Sequence, residues 1–242
     1  MSTSKHASEQ RLKGIVVGGI PYGDRSRVVK VLTDEAGLVP VWVANARTQS
    51  GLWHPLAMVE LSGVKPGKGQ GLWQCKEWRR EAPQLQLRNA PARSAVAFFV
   101  AECLALTLEE HAPAPEVFAL ASRTVHELET EVQVGWVHVS FMANLVEALG
   151  LLPADPPNRE HWFSIRSGEY VSKERAVQGD LSPAAVRAML AIRGMEFADV
   201  GNLKLTHDQR RELVLGAFAY VQAQLGKSRE LKSYEVLEAL FS

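Results

Sequence analysis

Basic and aromatic side chains are concentrated in the first third of this 242-residue chain. Residues 1–80 hold twelve Lys or Arg residues against six Asp or Glu, although the whole chain balances 27 basic residues with 27 acidic ones. The aromatic residues of this segment are Tyr22, Trp42, Trp53, Trp73 and Trp78. Cations that follow phosphates, together with rings that stack on bases, are how proteins hold single-stranded nucleic acid. The alternatives are a chance imbalance of charge and tryptophans that fill the core of a small barrel.

Several basic residues fall in short rows on segments that favour β-strands. Arg25 and Arg27 can share one face of a strand, whereas Lys30 alternates with valines and faces away from them. Lys76 and Arg80 share the parity of a later strand. Such rows can follow the phosphates of a bound strand. A solvated strand face is an equally good interpretation of each residue.

No residue pattern in the chain is typical of covalent or metal chemistry. The seven histidines are scattered, and the two cysteines, Cys75 and Cys103, lie on different predicted elements, so we expect no metal site. The glycine-rich basic loop at 65–71 lacks phosphate-loop spacing, and it is either a hairpin turn or a contact to a phosphate backbone. Carboxylates at 109–131 have the spacing of a solvated helix face. We therefore expect a protein without a cofactor that is not an enzyme.

The elements that must position these side chains change in character along the sequence. Five short strands are predicted at residues 12–20, 27–33, 38–44, 56–64 and 71–80, with turn residues between them. Five strands at this spacing predict an OB-fold, a small barrel that binds single strands and oligosaccharides. From residue 91 onward the apolar residues recur at helical spacing, and a hairpin is predicted around 162–171.

We therefore predict an α+β protein in which a five-stranded OB-fold β-barrel precedes a mostly α-helical domain. The expected divisions are a flexible tail at 1–10, the barrel domain at 11–82, and the helical domain at 83–242 with a small irregular or hairpin insertion near 153–180. No run of eighteen apolar residues occurs, so no membrane span is expected. Two cysteines suit a reducing compartment, which favours a cytoplasmic location.

Several short motifs of the chain resemble those of the RecO family of bacterial recombination mediators. The resemblance is carried by GIVV at 14–17, YGDRS at 22–26, VV at 28–29, TDEAG at 33–37, RSAVAFFVAE at 93–102, LGLLP at 149–153 and LKSYEVL at 231–237. Each motif is short, and their order and spacing over nearly the whole chain make the resemblance.

The resemblance implies a role without bond chemistry. Proteins of this family bind single- and double-stranded DNA, anneal complementary strands, and act with RecR, and often RecF, to load recombinase on strands coated by single-strand-binding protein (SSB). Their helical domain can bind the acidic, apolar C-terminal tail of SSB. A nucleoid-associated cytoplasmic protein would follow from this role.

The same resemblance makes the basic barrel the DNA-binding part. The implied phosphate contacts are Arg11, Lys13, Arg25, Arg27, Lys30, Arg47, Lys65, Lys68, Lys76 and Arg80. The implied stacking groups are Tyr22, Trp42 and Trp53.

Two features depart from the family pattern. Many members carry a four-cysteine zinc site in the segment that matches residues 150–180, and this segment has no cysteine here, so the chain resembles a zinc-less variant. The loop at 45–55 is often richer in Lys and Arg, and here only Arg47 is basic. A partner such as RecR could supply part of the DNA surface.

Two other functions remain open from the sequence. An OB-fold RNA-binding protein would use the same barrel and differ only in its preferred nucleic acid. A non-catalytic protein adapter would use the acidic, apolar helical part and leave the barrel for a partner protein.

Overall fold

The structure is a computed structural model that describes residues 9–44, 53–64, 71–81, 84–130 and 133–241. Three of the expected DNA contacts, Arg47, Lys65 and Lys68, lie outside the described residues, as do the first eight residues of the expected tail. Glu9 and Gln10, which were also assigned to that tail, instead begin the first strand and pair with Val64 and Gly63.

The first five strands form a closed barrel. They are β1 (Glu9–Tyr22), β2 (Ser26–Thr33), β3 (Gly37–Val43), β4 (Met58–Val64) and β5 (Trp73–Arg80). The order around the barrel is β1-β2-β3-β5-β4, and β3 pairs with β5 in parallel while the other pairs are antiparallel. The predicted OB-type barrel followed by helices is confirmed.

Alternation along the strands divides the barrel into an inner and an outer face. Val29 and Val31 of β2 point inward and pack with Val39, Val41 and Val43 of β3. Their neighbours Leu32 and Leu38 point outward and are buried in the helical core instead. One part of the outer face is therefore covered by helices, whereas Ile20 and Tyr22, on another part that the described helices leave uncovered, are exposed.

The remaining chain is mostly helical, with one short hairpin. The elements are α1 (Leu85–Asn89), α2 (Pro91–Thr107), α3 (Pro115–Thr130), α4 (Val137–Ala148), β6 (Trp162–Ser164), β7 (Glu169–Val171), α5 (Pro183–Ile192), α6 (His207–Gln224) and α7 (Ser233–Phe241). β6 and β7 pair antiparallel where the sequence predicts a hairpin. α4 lies at the centre, because ten consecutive residues from Val137 to Val146 are buried. Among the described residues, no helix combines the length and apolar character needed to cross a membrane.

Two helix starts follow from local sequence. Thr206 and Gln209 form a reciprocal capping box at the start of α6, with Thr206 N donating to Gln209 Oε1 at 2.9 Å. Ser182 accepts a hydrogen bond from Ala185 N and so caps α5, with Pro183 at the first helical position. Both caps match the pattern of the sequence.

Carboxylates from distant helices cap three further backbone segments. Glu129 of α3 accepts hydrogen bonds from Gln86 N and Leu87 N at the start of α1. Glu212 of α6 accepts from Ser182 N at 2.6 Å, and Glu102 of α2 accepts from Ser233 N at 2.7 Å. The interpretation of the 109–131 carboxylates as a solvated face is therefore wrong for Glu129, which satisfies amide groups that a helix start leaves without partners.

The loop between α2 and α3 fastens the helices to one end of the barrel. His111 N donates to Leu38 O at 2.8 Å, and Leu38 and Glu110 form an isolated β-bridge. Gly37 sits under this loop with φ of +68°, and a Cβ there would lie 1.9 Å from Ala112 O. Only glycine fits both the backbone conformation and the close approach.

Candidate nucleic-acid interface

A row of apolar side chains crosses the free part of the outer barrel face. Ile20 of β1 lies opposite Val28 of β2, and Val28 lies opposite Trp42 of β3. Directly opposed residues in an antiparallel pair project to the same side of the sheet. Ile20 is 66% exposed, and Val28 and Trp42 are half-buried, whereas Val29, Val41 and Val43, their neighbours along β2 and β3, are buried inside the barrel. We call Ile20, Val28 and Trp42 the exposed row.

A ring and a cation stand at the edge of the exposed row. Tyr22 ends β1, lies opposite Ser26, and is 58% exposed. Arg25 is exposed in the turn between β1 and β2, where Gly23 takes a positive φ of +64°. Tyr22, Trp42 and Arg25 therefore share one free region of the barrel, as a stacking surface with a nearby cation requires.

Other expected phosphate contacts are already engaged by protein groups. Lys13 pairs with Glu81 at 3.2 Å, and Lys30 pairs with Glu110 at 2.8 Å. Arg27 is half-buried and donates from Nη2 to Gly19 O at 3.2 Å. Exposed ion pairs are worth about 0–1 kcal/mol, so a phosphate can displace the carboxylate from either lysine at small cost.

A second concave surface lies on the β1–β4–β5 side of the barrel. This groove of about 420 Å³ contains Arg11, which is exposed, and Lys13. It also contains Glu60 and Glu77, with Arg79 bound to Glu60 through its Nε at 2.6 Å. Because cations and carboxylates alternate here, the groove is less suited to a polyanion than the exposed row.

The expectation that Lys76 and Arg80 share one exposed strand face needs a correction. β4 and β5 change register between Ser62 and Gly63, opposite the stretch from Cys75 to Glu77. This bulge breaks the alternation of β5: Lys76 and Arg79 are exposed, while Arg80 is half-buried at the inward parity of Trp78. Arg79, which is not among the predicted contacts, is also an exposed cation.

The stacking role expected of Trp53 also needs a correction. Trp53 is 7% exposed and packs inside the barrel, with its ring 4.8 Å from that of Trp78. Trp73 is similarly enclosed at 3% exposed. The barrel therefore uses these two tryptophans as core residues, and Tyr22 and Trp42 remain the accessible rings of the predicted set.

Cys75 lies on β5, and Cys103 and His138 are buried on α2 and α4. Burial raises the pKa of Cys75 to about 11 and holds the pKa of Cys103 well above its usual value. Burial, aided by Arg210, lowers the pKa of His138 in the helical core to about 3. Within the described ranges, no group of three His, Cys, Asp or Glu side chains is placed to hold a metal ion. What the barrel surface offers is stacking, apolar contact and cation–phosphate attraction.

Sequence reasoning missed two members of the candidate interface, Ile20 and Val28. Ile20 carries no polar group and reads as an ordinary strand residue, and its exposure shows only once β1 is seen to extend to Tyr22, beyond the contact with β4. A large exposed aliphatic residue beside two exposed or half-exposed rings is the signal that marks it.

Comparison with known proteins agrees with this arrangement of barrel and helices. Residues 8–80 match the family described as Recombination protein O N terminal, and residues 88–235 match Recombination protein O C terminal. The chain is 24% identical to DNA repair protein RecO of Azobacteroides pseudotrichonymphae over 242 residues, covering 96% of this chain and 98% of that protein. It is 26% identical to DNA repair protein RecO of Phocaeicola vulgatus over 241 residues (96% and 99% covered). It is 24% identical to that of Syntrophobacter fumaroxidans over 252 residues (96% and 98% covered). The chain belongs to the RecO family of DNA repair proteins.

Proposed function

We propose that this protein is a recombination mediator that binds and anneals single-stranded DNA without catalysing bond chemistry. It works with RecR, alone or together with RecF, to load recombinase on SSB-coated DNA during recombinational repair. The observation that carries the proposal is the exposed row, bordered by Tyr22 and Arg25, on the part of the barrel that the helices leave free.

The geometry supports annealing through two weak interactions. Stacking of bases on Tyr22 and Trp42 is indifferent to sequence, so bases are held without their pairing edges being read. Cations at Arg25 and around the row reduce repulsion between two strands by releasing counterions. Neither interaction consumes a cofactor, and neither needs a nucleophile or a proton donor.

The helical part is proposed to hold proteins rather than DNA. Residues 81–242 hold fifteen basic against twenty-one acidic residues, a balance unsuited to a polyanion. RecR and the C-terminal tail of SSB are the proposed partners, and double-stranded DNA is the proposed product of annealing. A cytoplasmic, nucleoid-associated location follows from the same role.

The proposal is tested by binding and annealing with matched variants. Binding of a fluorescein-labelled dT oligonucleotide is followed by anisotropy, and annealing is followed on SSB-coated strands with and without RecR. Tyr22→Ala removes one stacking ring and is expected to cost about 1–3 kcal/mol of binding. Arg25→Glu is expected to weaken binding about tenfold and to lower the slope of log K against log salt by about 0.7. Arg166→Glu, an exposed arginine in the β6–β7 turn, is the control.

Each outcome decides between the open functions. Loss of binding in the two barrel variants, with Arg166→Glu unchanged, supports the proposal. Equal binding by all variants removes this face from the site. Preferential competition by unlabelled RNA of the same sequence identifies an RNA-binding protein instead, and no binding of either nucleic acid leaves the adapter function.

A further inference from the structure

The glycines of β1 differ in how much room the described residues leave for a side chain. A Cβ on Gly14 would lie 2.3 Å from Val31 Cγ1, and a Cβ on Gly19 would lie 3.0 Å from Val28 O. A Cβ on Gly18 would meet nothing within 4 Å. Glycine inside a strand weakens it relative to residues with side chains, and at Gly18 no steric contact with the described residues requires it.

Backbone conformation does not explain Gly18 either. Its φ is not among the positive values found at other glycines, so a residue with a side chain can adopt it. β1 does change register between Val16 and Gly18, but glycine is needed in such a bulge only when its φ is positive. Two meanings of a glycine in a strand remain: a bend where β1 passes from its pairing with β4 to its pairing with β2, and close approach by another molecule. The melting temperature of a Gly18 variant separates the two, because a required bend makes a larger side chain destabilising.

The position of Gly18 places this bare backbone beside the candidate interface. Gly18 lies opposite Lys30 on the outer face, and Lys30 lies opposite Pro40. On one side of this line of residues Leu32 and Leu38 are buried against the helices. On its other side lies the exposed row. Gly18, which is half-buried and has no side chain, therefore lies between the helix-covered part of the outer face and the exposed row.

A cation lies beside Gly18. Lys30 Nζ is 2.8 Å from Glu110 Oε1, and the two side chains are 43% and 41% exposed. A pair this exposed is weak and open to competition from another anion. Two residues along a strand span about 7 Å, so a strand whose bases stack on the exposed row has its sugar–phosphate backbone within reach of Gly18 and Lys30.

We propose that Gly18 is a contact site for one phosphodiester of the bound single strand, which lies against the bare peptide and takes Lys30 from Glu110. This inference rests on the proposed function and adds a specific subsite to it. Stacking rings stand at Tyr22 and Trp42, whereas Gly18 and Lys30 offer space and positive charge, which suit a phosphate rather than a base.

Side chains of increasing size at Gly18 test the inference. Gly18→Val adds a β-branched residue that strands favour, so the melting temperature is expected to stay equal or rise, while affinity for a labelled dT oligonucleotide falls at least tenfold. Gly18→Ala is expected to give a smaller loss. Gly14→Ala is the contrasting variant, because its Cβ would overlap Val31, and its melting temperature is expected to fall.

A double-mutant cycle between Gly18 and Lys30 tests whether both residues contact the same phosphate. Lys30→Gln removes one phosphate contact, so the slope of log K against log salt is expected to fall by about 0.7, and Gly18→Val is expected to give the same fall. The double variant is expected to bind no more weakly than the weaker single variant, because both changes remove one contact.

Three results overturn the inference. The first is a fall in the melting temperature of Gly18→Val similar to that of Gly14→Ala, which would mean that the fold itself requires glycine at position 18. The second is full affinity in Gly18→Val, and the third is additive losses in the cycle. Failure of the wild-type protein to bind the oligonucleotide instead overturns the proposed function, so the two failures are distinguishable.

Discussion

The attachment of the last helix depends on one carboxylate that lies 131 residues away in sequence. Glu102 of α2 accepts hydrogen bonds from Lys232 N at 3.1 Å, Ser233 N at 2.7 Å and the Ser233 hydroxyl at 2.5 Å. These groups form the start of α7, where amide groups have no partner within the helix. Glu102→Ala therefore leaves a helix start without its cap.

The size of the effect follows from the number and kind of hydrogen bonds lost. Loss of an N-terminal cap costs about 0.5–2 kcal/mol, and a hydrogen bond to a charged group contributes about 1.5–3 kcal/mol. Lys232 is exposed, so water can replace its bond, whereas the half-buried Ser233 is less easily rehydrated. We expect Glu102→Ala to lower the free energy of unfolding by about 2 kcal/mol, and Glu102→Gln by about half as much.

Thermal unfolding and amide exchange measure the two consequences. For a chain of this length, a loss of about 2 kcal/mol lowers the melting temperature by about 4–8 °C. Amides of α7 are expected to exchange up to about 30-fold faster, since local opening becomes easier by the same free energy. Glu147→Ala, an exposed carboxylate on α4, is the control, and its change is expected within about 0.5 kcal/mol. A Glu102→Ala protein with wild-type exchange in α7 would refute this reasoning.

Two further predictions concern buried titratable groups. His138 is 4% exposed and has a pKa of about 3, below the usual 6.5 of a histidine. Between pH 6.5 and 3 the unfolded chain therefore binds more protons than the folded one, so the contribution of the neutral, buried His138 to the free energy of unfolding is fully present above about pH 6.5 and is lost as the pH falls below it. From pH 7 to 5 this loss is about 2 kcal/mol, and denaturant titrations are expected to show a smaller loss by that amount in His138→Phe; an equal loss would contradict the assignment. With the pKa of Cys75 near 11 and Cys103 fully buried, a disulfide reagent at pH 8 is expected to label the native protein roughly 200-fold more slowly than the denatured one, and rapid native labelling would show that these thiols are accessible.

Features set by local sequence were predictable from the chain alone. Alternating valines in β2 and β3 predict strands with one apolar face, and the Thr206–Gln209 and Ser182–Pro183 patterns predict where α6 and α5 begin. Each signal lies within a few residues of the feature it produces. The order of barrel and helical region could be predicted for the same reason.

Features created by distant contacts could not be predicted in this way. Glu129 reads as a surface residue in its own helix and becomes a cap only because α1 begins beside it. Trp53 has the composition of a stacking residue, yet the closing of the barrel encloses it. Gly18 and Gly14 are indistinguishable in sequence, and only the position of Val31 shows that one of them is sterically required.

Counting the basic residues of the barrel overstates the positive charge that is available to a bound phosphate. Two of its lysines are paired with carboxylates that follow the barrel in sequence, Lys13 with Glu81 and Lys30 with Glu110. Each such pair must separate before the lysine can serve a phosphate, and this cost offsets part of the gain from counterion release. In the proposed function, a bound strand would therefore be held by stacking on Tyr22 and the exposed row more than by net charge. Charge contacts that are weak and easily displaced would suit the proposed annealing role, in which the duplex is released once two strands have paired.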